Sequence, residues 1–176
     1  MRHTRELGDL ATPEGIAAVA GQVRELDVLV HNAAINPAPH ETIDELSPET
    51  LRAVLAVNVE AAVFLTTALL GPLRAAADGQ VLAVSSEAGM FSHGMGPTGF
   101  SYRMSKAALN AFVLVASQAL AADGIRVNAV HPGWVRTDMG GDAAPLSPED
   151  AARDVIAVLQ KNATGKIYEA GCETDW

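Results

Sequence analysis

Tyr102 and Lys106 stand four apart in the run Tyr102-Arg103-Met104-Ser105-Lys106, a spacing that puts both side chains on one face of a helix. An ammonium beside a phenol favours the phenolate and so lowers the phenol's pKa from about 10. A phenol tuned in this way gives or takes a proton near neutral pH. The same spacing is also common on solvated helix faces, so the pair needs company to mean chemistry. Ser86 follows the apolar run Val81-Leu82-Ala83-Val84, and a hydroxyl at such a strand end can donate to a carbonyl oxygen as negative charge develops there. Asn58 lies between Val57 and Val59 in an apolar helical stretch, where asparagine is a poor helix former. An amide satisfied by its own helix is the plain account of Asn58; a place in the site is the other.

Other patterns point to less. Gly94-Met95-Gly96-Pro97-Thr98-Gly99 has the G-x-G-x-x-G spacing, but a dinucleotide-binding turn follows its strand directly and opens its helix. Gly94 comes well after Ser85, and Gly99 precedes the helix of Tyr102, so the segment reads as a substrate-side loop. His3, His31, His40, His93 and His131 share no ligand spacing with one another or with Cys172, and no metal site is expected. Ser85-Ser86 lacks the G-x-S-x-G elbow of a hydrolase nucleophile. The net charge of −9, from 12 basic and 21 acidic residues, argues against nucleic acid or an anionic membrane as partner. Charges interrupt the apolar stretches before the ~20 residues a membrane-spanning helix needs, and the first residues lack the apolar centre of a signal peptide. A lone cysteine, Cys172, forms no internal disulfide and suits a reducing compartment. The expectation is a cytoplasmic protein of one domain, its core drawn from the 49% of 176 residues that are hydrophobic.

The elements that must carry these groups alternate. Short β-branched runs at 28–30, 81–84, 125–130 and 166–169 read as strands buried on both faces, as in a parallel sheet. Between them lie helices at 13–25, 47–70, 102–122 and 147–161. Thr12-Pro13, Ser47-Pro48 and Ser147-Pro148 are cap-then-proline starts, and Gly71-Pro72 should interrupt the second helix. Asp123-Gly124 stops the third. Right-handed crossovers then give an α/β fold with helices on both sheet faces, and the loops after the strands are where such sheets bind ligands.

Together these residues resemble the short-chain dehydrogenase/reductase family, over essentially the whole chain and about the last three quarters of a usual family domain. Tyr102-x-x-x-Lys106 looks like the family's catalytic pair, Ser86 its catalytic serine, and Asn58 in Val57-Asn58-Val59 its fourth catalytic residue. His31-Asn32-Ala33-Ala34 resembles the Asn-Asn-Ala-Gly motif, with Ala34 adding a methyl. His131-Pro132-Gly133-Trp134-Val135-Arg136-Thr137 resembles the Pro-Gly loop, and Gly8-Asp9-Leu10 the end of the third strand. The serine-to-tyrosine gap and the ending 171–176 resemble the C-factor and carbonyl-reductase-like branch. The resemblance implies hydride transfer between NAD or NADP and a small-molecule carbonyl or alcohol. Tyr102 would donate the proton, Lys106 lower its pKa and hold the nicotinamide ribose, Ser86 orient the carbonyl, and Asn58 position a water. It implies cofactor contacts from Asp9, Leu10, Asn32, Ala33, Ala34, Tyr102, Lys106, Pro132, Gly133, Val135 and Thr137, and a homodimer through the helices at 47–70 and 102–122.

The family opens with a strand, a glycine-rich turn and a helix whose N-terminus binds pyrophosphate, and nothing before Asp9 reads as that unit. The expectation is therefore a single Rossmann-like domain over 1–176, N-terminally truncated, its first two βα units absent and its cofactor binding weakened. Residues 4–7 would be the family's third strand, and the strand at 28–31 an apolar sheet edge covered by the N-terminal segment or paired with another chain. Three readings stand: an oxidoreductase shortened or with a mis-set start, a non-enzymatic binding or signalling relative, and one piece of an assembly completed by another chain.

Overall fold

Three helix starts follow from one local device. In a computed structural model describing residues 8–176, the hydroxyls of Thr12, Ser47 and Ser147 accept from the N–H groups of Gly15, Thr50 and Asp150, each at 3.1 Å. A proline follows each cap, where its missing N–H costs nothing. These caps open α1 (Pro13–Ala20), α2 (Pro48–Leu55) and α6 (Pro148–Val158). Between them run β1 (Val28–His31), α3 (Ala61–Ala68), α4 (Leu70–Ala75), β2 (Gln80–Val84), α5 (Phe100–Ala119) and β3 (Arg126–His131), and β4 (Ile167–Glu169) and β5 (Cys172–Thr174) close the chain.

The sheet runs in chain order, β1-β2-β3-β4-β5. The first four strands pair in parallel, with Leu82 opposite both Val30 and Asn128. Alternate residues face opposite layers. Val81, Ala83, Val127 and Ala129 join Leu65, Leu109 and Val113 in the larger core, whereas Leu82, Val130 and Tyr168 pack with Val158 of α6. Helices therefore cover both faces, and every loop that follows a parallel strand emerges at one end of the sheet.

The structure departs from the sequence expectations in places. The fourth strand turns back through Ala170 and Gly171, both at positive φ, to make β5, antiparallel to β4; the sheet is mostly rather than wholly parallel. β1 is, as expected of the strand at 28–31, one edge of the sheet among the described residues, β5 being the other, and Val30 is 41% exposed rather than buried on both faces. Residues 4–7 lie outside the described residues. The first helix ends at Ala20 rather than 25, and the fourth at Val158 rather than 161. α5 begins two residues earlier than expected and ends at Ala119, followed by a 3-10 turn over Ala121–Asp123. The break expected at Gly71-Pro72 falls instead at Leu69, whose backbone leaves the helical region (φ −102°, ψ 8°). Pro72 is tolerated because it sits in the first turn of the new helix α4. The continuous run Pro48–Ala68 is also long and apolar enough, by length and composition, to cross a bilayer. The charges at Arg52 and Glu60 do not shorten it; in the fold it buries Val54, Asn58, Ala61, Ala62, Leu65 and Thr66.

Candidate active site

Tyr102 lies in the first turn of α5 and Lys106 one turn on. The Lys106 ammonium stands 5.5 Å from the centre of the Tyr102 ring and donates to the Val84 carbonyl at 2.8 Å. The residue is only 3% exposed, and burial lowers its pKa to about 8. The phenol moves opposite to the sequence expectation. Burial raises the Tyr102 pKa above its ordinary value, and the group pulling it back is the Ser86 hydroxyl, not Lys106. Desolvation penalises the phenolate more than the neighbouring groups stabilise it.

Ser86 sits directly beyond β2 as the cap of a 3-10 turn, Glu87–Gly89. Its oxygen accepts from the Ala88 N–H at 3.1 Å, and its hydroxyl hydrogen-bonds toward the Tyr102 phenol. The close approach depends on Gly89: a side chain there would meet the Lys106 backbone carbon at 2.5 Å and the Ala107 nitrogen at 2.7 Å. Asn110 ties the same layer together, donating to the Gly89 carbonyl at 3.0 Å and accepting from the Ser85 hydroxyl at 2.5 Å. Sequence reasoning missed Gly89, Ser85 and Asn110; the one signal for Asn110 is its place four residues after Lys106.

Asn58 is not in a regular α-helix. It occupies a π-turn, Ala56–Glu60, between α2 and α3, a distortion that recurs at functional sites. Its amide makes three hydrogen bonds. Oδ1 accepts from the Ile35 N–H at 2.8 Å, and Nδ2 donates to the Ile35 carbonyl and the Ser105 hydroxyl, both at 3.0 Å. The amide is thus satisfied by the loop after β1 and by α5 rather than by its own helix.

The residues expected at the cofactor lie just before α1 and on the segments that follow β1 and β3. Leu10, Asn32, Ala33 and Asn58 line a cavity of about 110 Å³ under β1 and α3, which Ser86, Tyr102 and Lys106 do not touch. Asp9 shapes the turn before α1, accepting from the Ala11 N–H at 2.9 Å. Ala34 is half-buried beside the Ile35 anchor. Pro132 and Gly133 follow β3 half-buried, Val135 bridges to Leu146, and the exposed Thr137 accepts from the Gly140 N–H at 3.2 Å. The nicotinamide end of an NAD(P) molecule suits this donor set: Lys106 uses one N–H on Val84 and keeps two for sugar hydroxyls. Among the described residues no glycine-rich turn leads straight from a strand into a helix N-terminus. The Gly94–Gly99 segment is a loop with Gly94, Gly96 and Gly99 at positive φ, as its position implied.

His131 ends β3 nearby, 7% exposed. Its Nε2 lies 3.7 Å from Glu169 Oε1, and its Nδ1 has no partner among the described residues. Burial lowers its pKa against the opposing pull of Glu169 and Glu87. His31 is half-buried, its Nε2 2.8 Å from the Thr66 hydroxyl, and desolvation lowers its pKa to about 4.

The short chain dehydrogenase family profile matches residues 8–146. C-signal of Myxococcus xanthus is 32% identical over 155 residues, 86% of this chain and 93% of that protein. The carbonyl reductase Sniffer of D. melanogaster superposes with a TM-score of 0.88 at 26% identity, over 96% of this chain and 76% of that one. The NADPH-bound carbonyl reductase from chicken fatty liver superposes with a TM-score of 0.87 at 28% identity, over 96% and 75%.

Proposed function

Because the chain belongs to the short-chain dehydrogenase family, we propose that it is an NAD(P)-dependent oxidoreductase interconverting a small carbonyl compound and its alcohol. The observation that carries the reading is the meeting of three groups: the Ser86 side chain against the Tyr102 phenol, and Lys106 5.5 Å from the same ring. Bound NAD(P)H supplies the hydride. With substrate bound, the Ser86 hydroxyl turns its hydrogen bond to the substrate carbonyl and stabilises the charge that grows there. Tyr102 gives its phenolic proton to that oxygen, with the Lys106 ammonium 5.5 Å from the centre of its ring. Tyr102, Lys106 and Thr137 are the side chains that hold the nicotinamide end, with the backbone at Pro132, Gly133 and Val135; Asp9, Leu10, Asn32, Ala33 and Ala34 face the rest of the cofactor. Asn58, its amide committed, acts by holding Ile35 and Ser105 in place. Phe64, Met104 and Val115 are 53%, 45% and 68% exposed on α3 and α5, and these helices serve as the homodimer face.

Similarity across 93% of C-signal favours a second reading, a binding or signalling protein that keeps the site without turning over. One experiment separates the two. Purified protein is incubated with NADH or NADPH and a panel of aldehydes and ketones, and oxidation of the nicotinamide is followed by absorbance. Turnover that disappears in Tyr102→Phe supports the enzyme; no turnover with any pair, alongside measurable cofactor binding, supports the binder.

A further inference from the structure

Ser101 and Ser105 are four apart on α5, as are Tyr102 and Lys106, and the two pairs are one residue out of phase. At 3.6 residues per turn, whatever fixes the azimuth of the serines also fixes that of the tyrosine and lysine. Both serines are buried, 2% and 0% exposed. Ser105 donates to the Tyr102 carbonyl at 2.7 Å and accepts from Asn58. Ser101 is held by a residue with no role so far: Glu41 Oε2 accepts from both the Ser101 N–H at 2.9 Å and the Ser101 hydroxyl at 2.8 Å.

Glu41 is 5% exposed, and its loop is tied to α5 a third time, where the Gly99 N–H donates to the Glu41 carbonyl at 2.8 Å. Gly99 permits this approach. Its φ is +71°, and a side chain there would stand 2.9 Å from the Pro39 carbonyl. Burying a carboxylate is costly unless it is hydrogen-bonded, and at the positive end of a helix it is favoured.

We propose that Glu41 is a positioning residue that clamps the first turn of α5 to the loop after β1, and so sets where the Tyr102 phenol stands relative to Ser86. The clamped loop leaves β1 through Asn32, Ala33 and Ala34 and is anchored at Ile35 by Asn58, which also holds Ser105. Two polar ties, Glu41–Ser101 and Asn58–Ser105, thus join the cofactor side of the site to the helix of the proton donor. This inference rests on the reading of Tyr102 as that donor.

The test uses a property of Tyr102 that needs no turnover. The chain has two tyrosines, so in a Tyr168→Phe background the ultraviolet titration of phenolate reports Tyr102 alone. Glu41→Gln keeps an acceptor oxygen and is expected to hold the wild-type midpoint, with kcat within about threefold. Glu41→Ala frees the first turn and lets water reach the phenol. The midpoint is then expected to fall toward about 10, and kcat to drop about tenfold or more while KM changes less than about threefold. Ser101→Ala removes one of the two side-chain bonds, should shift both readouts the same way by less, and decides the matter if Glu41→Ala does not fold. An unchanged midpoint in both Ala variants overturns the proposal, even if stability falls, because a cap that merely stabilises the helix leaves the phenol where it was. A Glu41→Gln variant as impaired as Glu41→Ala also overturns it. If the wild type transfers no hydride, the oxidoreductase reading fails and the Tyr102 midpoint alone judges the clamp.

Discussion

The Lys106 ammonium stands 5.5 Å from the centre of the Tyr102 ring while donating to the Val84 carbonyl at 2.8 Å. The lysine is therefore aimed by the last residue of β2, the strand that also leads into Ser86. Ser86 from a turn and Tyr102 and Lys106 from one helix are held in one place because the sheet and α5 share a core.

Replacing Tyr102 by Phe keeps the ring and its contact with Lys106 but removes the proton. Catalytic rate should fall by about 10²–10⁴, with the melting temperature little changed. Stopped-flow or steady-state oxidation of the reduced nicotinamide measures the first, and circular dichroism the second.

Lys106 is expected to cost stability at neutral pH. Its pKa is 10.5 when exposed and about 8 in the fold, so the folded state resists the charge. The cost is fully present below about pH 8 and fades as pH rises toward 10.5. At 1.36 kcal/mol per unit the cost is about 3 kcal/mol, offset by about 1 kcal/mol for the bond to Val84. Lys106→Met should therefore abolish hydride transfer yet raise the urea midpoint at pH 7, and the gain should shrink at pH 10. A Met variant less stable than wild type at pH 7 would show that the ammonium is better solvated than its burial implies.

Acid should weaken the fold through His31. The His31 pKa falls from 6.5 to about 4 on folding, so stability is complete above pH 6.5 and lost as pH drops toward 4, by up to about 3 kcal/mol. His131 acts in the same direction. Urea unfolding at pH 7 and pH 4.5 measures the slope. His31→Asn, which leaves nothing to protonate beside Thr66, should flatten it.

Asn58→Ala strands the part-buried N–H and carbonyl of Ile35 and one partner of Ser105. A loss of about 2–4 kcal/mol in unfolding free energy is expected, together with a lower kcat, since the loop after β1 and α5 both lose an anchor. Equilibrium denaturation and turnover of the same preparation check the two together. A variant that lost stability but kept full kcat would confine Asn58 to a purely structural part.

The alternation of β-branched runs with capped helices was readable because each strand is short and apolar and each cap is a local hydrogen bond. The placement of Tyr102 and Lys106 on one helix face and of Ser86 beyond a strand was readable for the same local reason, whereas the spacing alone fits a solvated face equally well and only the family resemblance gave it a chemical meaning. The π-turn at Asn58 was not readable, since a widened helical turn is chosen by what the side chain bonds, and Ile35 is far away in sequence. β5 was missed because a three-residue strand has no periodicity of its own and exists only where β4 offers an edge.

The chain on its own thus determined which residue types stand four apart, where helices begin, and that a Rossmann-like sheet would carry them. Only the tertiary structure decided that burial would raise the Tyr102 phenol and lower the Lys106 ammonium, and that Glu41 would reach Ser101. Desolvation and remote hydrogen bonds depend on which segments pack together, and spacing along the sequence carries no record of that.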